Sequence, residues 1–355
     1  MARVTFNNRP NPFYTTLKSE VKNYFTEHQI PSTGDRRLYL KTFLFLATAL
    51  YLYIQVVFFT PVSWIALPMC VLFGINAAFI GFNVMHDGCH GSYSEKDWVN
   101  NLMGLTLNVL GSNAFLWKTK HNVAHHTFTN IDGLDADITQ TSLLRLAPTQ
   151  PLRKLHKYQH IYGMFLYALI SIAWVFHGDF SKYFSHKVLN TEIKDFNTKE
   201  HIIFWVSKLF YTLIYIVVPI YMLGFGTFII GFLAMNLSLG LVLALVFQLA
   251  HVVEIAEFEN ATDADLSIEH EWAIHQVNTT VNFATDNRIV SFFLGGLNFQ
   301  VEHHLFPKVS HVHYPQIQQI VKKVCAQYDL AYRQYPTVWQ AISSHIRMLK
   351  QLGRG

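Results

Sequence analysis

Charge is what this sequence has least of. Asp, Glu, Lys and Arg make up 14% of its 355 residues, well below the roughly 25% usual in soluble globular chains. A length that would suggest two soluble domains therefore points first to a membrane protein. Cysteine is scarce as well: Cys70, Cys89 and Cys325 stand far apart, which excludes a disulfide scaffold or a thiolate zinc finger. No block of like charges occurs, and 27 Lys and Arg against 23 Asp and Glu leave a net charge of only +4. Nucleic acid is therefore not an expected partner. Residues 1–41 form a polar, basic arm without the apolar core and small-residue cleavage site of a signal peptide. No repeat, low-complexity segment or Gly/Ser linker divides the chain, so residues 1–355 read as one domain.

Against these absences stand a hydrophobic content of 51%, an aromatic content of 15% that argues against disorder, and 19 histidines. Residues 42–60 carry no charge, nor do residues 62–84 beyond Pro61; each run has the roughly 20 apolar residues a bilayer crossing needs. Only a tight turn joins them, which predicts a helical hairpin over 42–84. A second hairpin is predicted over 202–253, with its turn at Gly224-Phe225. The apolar run Ile161–Phe176 would measure only about 24 Å as a helix, short of the ~30 Å hydrocarbon core, and is expected to be interfacial or buried. Every Lys and Arg except Lys208 lies outside the hairpins, in 1–41, 85–201 and 254–355. The positive-inside rule then places both termini and the middle region in the cytoplasm, with Lys208 snorkelling to the interface. The predicted fold class is an all-α membrane protein: four transmembrane helices in two hairpins, interfacial helices, and a cytoplasmic helical cap. Residues 316–353 read as one or two amphipathic helices closing that cap.

The histidines fall into three windows: His86 and His90; His121, His125 and His126; and His303 and His304, in Gln300-Val301-Glu302-His303-His304. Spacing of i, i+4 puts two imidazoles on one helix face, where both reach one metal ion. The adjacent His126 and His304 point elsewhere, which suits a second ion. The predicted topology brings all three windows to one side of the membrane. As helices, 62–86 would be about 36 Å long and 226–251 about 38 Å, so both project past the core to a similar depth. His251 thus joins as an eighth candidate ligand. Imidazole-rich, thiolate-free sites suit iron, copper, zinc or nickel, and eight neutral donors exceed the needs of one ion, so two metals are indicated. Asp87, Asp135, Asp137 and Glu302 are candidates to orient imidazoles through their second nitrogen, although Asp135 and Asp137 equally suit a turn or a helix cap. The seven carboxylates between Glu254 and Glu271 read as a solvated loop, and His311 and His313 as surface or interface residues. A metal transporter would place its ligands near the membrane midplane and a haem carrier would face its histidines across the spans; neither pattern is present.

The three windows and the trailing Leu305-Phe306-Pro307 resemble the histidine boxes of the membrane fatty acid desaturases, over roughly residues 39–315. Gln300 stands where many members have the first histidine of HxxHH, a feature similar to the front-end, linoleoyl-CoA-like subgroup, which includes sphingolipid desaturases. The resemblance implies a di-iron centre on the cytoplasmic face, dioxygen as co-substrate, and a cis double bond placed in a long acyl chain carried by coenzyme A or a lipid. It implies His86, His90, His121, His125, His126, His251, His303 and His304 as metal ligands, with Gln300 ligating weakly or through water. A hydroxylase or a sphingolipid desaturase using the same site stays open. His275 lies in a segment similar to one preceding the third box in relatives and is a candidate for the ring around the ligands. Many front-end members carry a fused cytochrome with a His-Pro-Gly-Gly motif, but no histidine here precedes a proline. A separate ferredoxin or small haem cytochrome, with its reductase, is therefore the expected electron donor.

A shared centre requires the second and third boxes to lie on one side. Cysteines introduced as Lys120→Cys and Lys308→Cys are expected to react with an impermeant maleimide from the same face of sealed vesicles; reaction from opposite faces would break the proposal.

Overall fold

The computed structural model describes residues 5–6, 12–139, 141–189, 191–193, 196–259, 267–268 and 270–355. Four of its helices are long and apolar enough to cross a membrane: Arg36–Phe58, Ser63–His90, Thr198–Leu223 and Phe225–His251. These are the two expected hairpins. The first and third helices begin before the uncharged runs because polar side chains cap them. Asp35 accepts from the Arg37 amide at 2.8 Å and Asn197 from the Glu200 amide at 3.2 Å, satisfying donors that a helix start leaves open. The second hairpin turns on Gly224, whose φ of +76° suits glycine.

The second and fourth spans form the centre of the bundle. Half of the second span's most apolar window is buried within the protein, against 22% of the third's, so the third presents mostly lipid-facing surface. Lipid tails are as apolar as leucine, and close contact between spans rests on small residues and polar bonds. A Cβ on Gly74 would overlap the Met235 carbonyl, and one on Gly240 would overlap the Ala168 carbonyl. Ser238 Oγ donates to the Val71 carbonyl at 3.1 Å, and Asn76 Nδ2 to that of Phe45 at 2.9 Å. At 28 and 27 residues, the second and fourth helices reach about 42 and 40 Å, well past the ~30 Å core. Their overhanging ends carry His86, His90 and His251.

Two expectations are corrected here. Ile161–Phe176 does not form one helix: Lys154–Ala168 and Ile170–Ser185 meet at 58°, the second arm containing a π-helical turn at Trp174–Gly178. The bend lets the segment wrap the fourth span, where Gly240 admits the Ala168 carbonyl and Ser171 Oγ donates to the Asn236 carbonyl at 2.8 Å. Lys208 does not snorkel. It turns inward and is 7% exposed, paired with the fully buried Asp179 at 3.0 Å.

The cap closes as expected with helices Tyr314–Gln327 and Val338–Leu352. A helix at Pro12–Glu27 packs on it through Phe13, Leu17 and Val21, against Val321 and Val324. The described part of the acidic stretch is solvated as expected: Glu254 and Glu257 are exposed, Glu254 pairing on the surface with Arg347 at 2.7 Å and Glu257 with Arg333. Asp263, Asp265 and Glu269 lie outside the described residues. A two-residue parallel ladder, Asn282–Phe283 on Gln334–Tyr335, sets Asn282 against the third box, where its Oδ1 accepts from the Val301 amide at 2.9 Å.

The Gly74 contact gives a direct test of this packing. Gly74→Leu forces a side chain into backbone and is expected to cost at least the roughly 1–3 kcal/mol of core overpacking, lowering the melting temperature. Gly226→Leu, where nothing lies within 4 Å, is expected to leave it unchanged; thermal unfolding of both variants in detergent checks the contrast.

Candidate metal centre

Local structure departs from a plain α-helix at the first two boxes. A π-helical segment, Gly81–Met85, precedes His86, and Thr119–His125 is itself π-helical. The widened turn shifts side-chain directions from those of ideal i, i+4 spacing; such bulges are frequent at functional sites. His303 and His304 sit on the short helix Gln300–Leu305 and His251 ends the fourth span.

The fold brings all eight histidines into one buried volume. Ring nitrogens of His86, His90, His121 and His303 lie within 4.8 Å of one another, and so do those of His125, His251 and His304; His126 groups with His303 and His304. The Nε2 atoms of His86, His90, His125, His251, His303 and His304 are buried without any hydrogen-bond partner. His121 and His126 turn their Nε2 atoms to each other at 3.2 Å. Buried polar atoms are nearly always paired, so this concentration of unpaired donor nitrogens is what a metal centre requires. Burial and then the neighbouring imidazoles push His121, His126, His303 and His304 well below the ordinary histidine range, which keeps these rings neutral and available as ligands. The chemistry of the donor set thus fits two adjacent metal ions.

The outer nitrogens are held by a second ring of partners. Asp135, as expected, receives His125 Nδ1 at 3.0 Å, and it also accepts from the Asn130 and Asp137 amides, so the orienting and turn-forming readings both hold. Burial lowers the His125 pKa, but Asp135 and then Asp137 outweigh it and leave it raised. Asp137 lies 3.5 Å from His125 and pairs with Lys120. Three partners had no local signal in the sequence. Gln276 Oε1 accepts from His304 Nδ1 at 2.9 Å, Thr129 Oγ donates to Gln276 at 2.9 Å, and Tyr314 Oη meets His303 Nδ1 at 3.2 Å. They come from distant segments, and no spacing rule reaches them.

Other expectations change. Glu302 orients no imidazole: it points away, accepting from Tyr332 Oη and Asn282 Nδ2, both at 2.7 Å, and burial raises its pKa to about 7. His311 and His313 are buried, at 5% and 3% exposure, not surface residues. His311 Nδ1 donates to Asp87 at 3.0 Å while its Nε2 accepts from Lys41 at 2.9 Å. Burial lowers the His311 pKa and outweighs the pull of Asp87, consistent with a neutral ring bridging two charges. Asp87 takes Ser310 Oγ at 2.6 Å as well and reaches His86. His275 stands one step behind, its Nε2 on the Thr129 carbonyl at 2.8 Å. Gln300 is buried beside His251, donating to the Leu297 carbonyl at 2.7 Å.

A narrow apolar cavity of about 40 Å³ runs from His86 down between the second and fourth spans, past Trp117, Trp174, Leu239 and Leu243, to Ala77. Trp117 stacks on His121 at 4.3 Å. A larger apolar cavity of about 520 Å³ opens at the turn end of the hairpins, bordered by Tyr53, Phe73, Tyr215 and Met235. About one helical turn, Phe73 to Ala77 and Met235 to Leu239, separates the two, and the larger one lies far from the imidazoles.

Fold and site together define a class: a multi-span helical membrane protein with two neighbouring sets of buried imidazoles at one end of its bundle, opening into an apolar slot. The chain belongs to the fatty acid desaturase family, whose sequence pattern matches residues 62–336, and it is an oxidoreductase of that family. It is 36% identical over 353 residues to the sn-1 linoleoyl-lipid 6-desaturase of Arthrospira platensis, covering 99% of this chain and 95% of that one. The sn-1 linoleoyl-lipid 6-desaturase of Synechocystis is 35% identical, with 96% of each chain covered. The acyl-lipid (8-3)-desaturase of Physcomitrium patens is 36% identical over 96% of this chain and 72% of its own.

Partners of metal-bound imidazoles typically contribute 10–100-fold in metal affinity. Asp135→Asn and Gln276→Leu are each expected to weaken metal retention by about that factor, read as metal per chain after dialysis against a graded chelator series.

Proposed function

We propose that this enzyme introduces a cis double bond into a long acyl chain at a di-iron centre held by His86, His90, His121, His125, His126, His251, His303 and His304, with Gln300 as a weak or water-bridged donor. The single observation that carries the reading is the convergence of unpaired Nε2 atoms in two neighbouring sets. The chemistry that iron supplies when bound is redox: dioxygen, two electrons and two protons, with two hydrogens taken from adjacent methylenes, leave one alkene and two waters. The protein's own contribution is binding, orientation and exclusion of water. Asp135, Gln276 and Tyr314 hold imidazole planes from behind, so that Nε2 faces inward at three positions. Trp117, stacked on His121, closes the slot side of the centre. The slot, at about 40 Å³, would hold only the reacting stretch of an acyl chain beneath His86, its apolar walls from both central spans leaving little room for water.

The relatives that this chain spans almost whole are named for linoleoyl-lipid substrates. This supports an acyl chain on a membrane lipid as substrate and a front-end position for the new double bond. Electrons come from a separate ferredoxin or small haem cytochrome with its reductase. The basic termini and middle region support a cytoplasmic centre and cap.

Expression in a desaturase-null host fed unsaturated acyl chains, with a competent donor, is expected to yield one additional double bond, read by gas chromatography and mass spectrometry of total lipids. His125→Ala is expected to abolish it. Unchanged lipids across several fed acyl chains would count against the activity, and hydroxylated lipid without alkene would assign the site to hydroxylation.

A further inference from the structure

Lys208 and Asp179 form a buried ion pair that the metal centre does not use, with Lys182 Nζ a second cation 3.5 Å from Asp179 Oδ1. Intramembrane charges are costly, and those that persist mark functional positions. For stability alone, an apolar pair of similar volume commonly serves as well or better. The contacts of the ammonium indicate what the pair does. Its three donors meet three acceptors: the Gly111 carbonyl at 2.6 Å, the Val175 carbonyl at 3.1 Å and Asp179 Oδ2 at 3.0 Å. Asp179 Oδ1 in turn accepts from the Trp174 indole at 2.9 Å. Gly111 lies between Leu110 and Ser112, and these two, with Trp174 and Val175, line the slot together with His86. Lys208 itself lies outside the slot. Gly111 has a φ of +98°, and the Tyr211 ring occupies the space a Cβ would need, so the carbonyl that meets Lys208 comes from a position restricted to glycine.

We propose that Lys208 is a positioning residue that clamps the two wall segments 110–112 and 174–175, and that Trp174, pinned through Asp179, is the side chain that sets which carbon pair of the acyl chain stands under His86. The inference rests on the acyl-slot reading above and deepens it from substrate class to the choice of bond. A displacement of about 1 Å in a reacting centre can cost roughly 10²-fold in rate, so relaxing one wall changes both the position and the rate of reaction.

The test uses the full-length enzyme with two variants. Lys208→Met combined with Asp179→Asn and Lys182→Met removes all three charges of the cluster while keeping an oxygen for Trp174, and Trp174→Phe removes the indole donor alone. Double-bond positions are read from dimethyl disulfide adducts, with kcat, KM and metal per chain measured alongside. The expected result is metal content equal to the unsubstituted enzyme, a kcat at the original bond lower by about ten- to a hundredfold, and new alkene at a neighbouring position. Unchanged bond position in either metal-loaded variant overturns the proposal, even where the rate falls. If the triple variant does not fold, Trp174→Phe decides.

A readout independent of turnover separates this inference from the activity it rests on. Quenching of indole fluorescence by a phospholipid brominated along its acyl chain is expected to lose a component in Trp174→Phe. An unaltered quenched fraction overturns the slot assignment. Normal quenching with no alkene from the unsubstituted enzyme would instead sink the desaturase reading and leave the slot standing.

Discussion

Six imidazole Nε2 atoms buried in one volume without a hydrogen-bond partner are the constraint on which the rest of this structure depends. An unpaired buried polar group costs about 1–3 kcal/mol. Six of them approach the ~5–15 kcal/mol net stability of a typical domain, so a metal held by these nitrogens would stabilise the fold as well as complete the site. The architecture is arranged around that requirement. Two spans overrun the hydrocarbon to lift His86, His90 and His251 to one level. The bent segment stays against the fourth span, and the cap covers the site from the other side. Even the π-helical turns serve it, since they redirect side chains that a regular helix would aim elsewhere.

The bundle and the clustering of the histidines were largely legible in the sequence because each carries a local pattern. Uncharged runs predict spans, and short histidine spacings predict shared faces. What could not be read is what depends on contacts between distant segments. Gln276 holds His304, Tyr314 holds His303, and Lys41 reaches Asp87 through His311; no periodicity links such positions. Glu302 misled for a geometric reason. At about 100° per residue, it lies on the side of its helix opposite the midpoint of His303 and His304, so directing both imidazoles inward turns its carboxyl outward to Asn282 and Tyr332. Lys208 misled because snorkelling is the default for an isolated lysine, and the sequence gives no sign that Asp179 and two carbonyls converge on it.

The polar groups divide into two tasks with different physics. Around the imidazoles, carboxylate, amide and phenol partners fix ring planes and leave the inner nitrogens free. Along the slot, the Lys208 clamp acts on backbone carbonyls and one indole, shaping an apolar wall without exposing charge to the chain inside it. A desaturase needs both: the first decides that a hydrogen can be removed, the second from which carbon. The first task is concentrated in three boxes, whereas the second is spread over the third span, the Gly111 turn and the bent segment.

The central claim is that one chain carries two metal ions on nitrogen-rich ligands at the cytoplasmic end of the bundle. The most direct measurement is iron stoichiometry with X-ray absorption on anaerobically purified protein. The account predicts two irons per chain and a coordination shell of nitrogen and oxygen only. A single tightly bound ion, or sulfur in the first coordination shell, would contradict it.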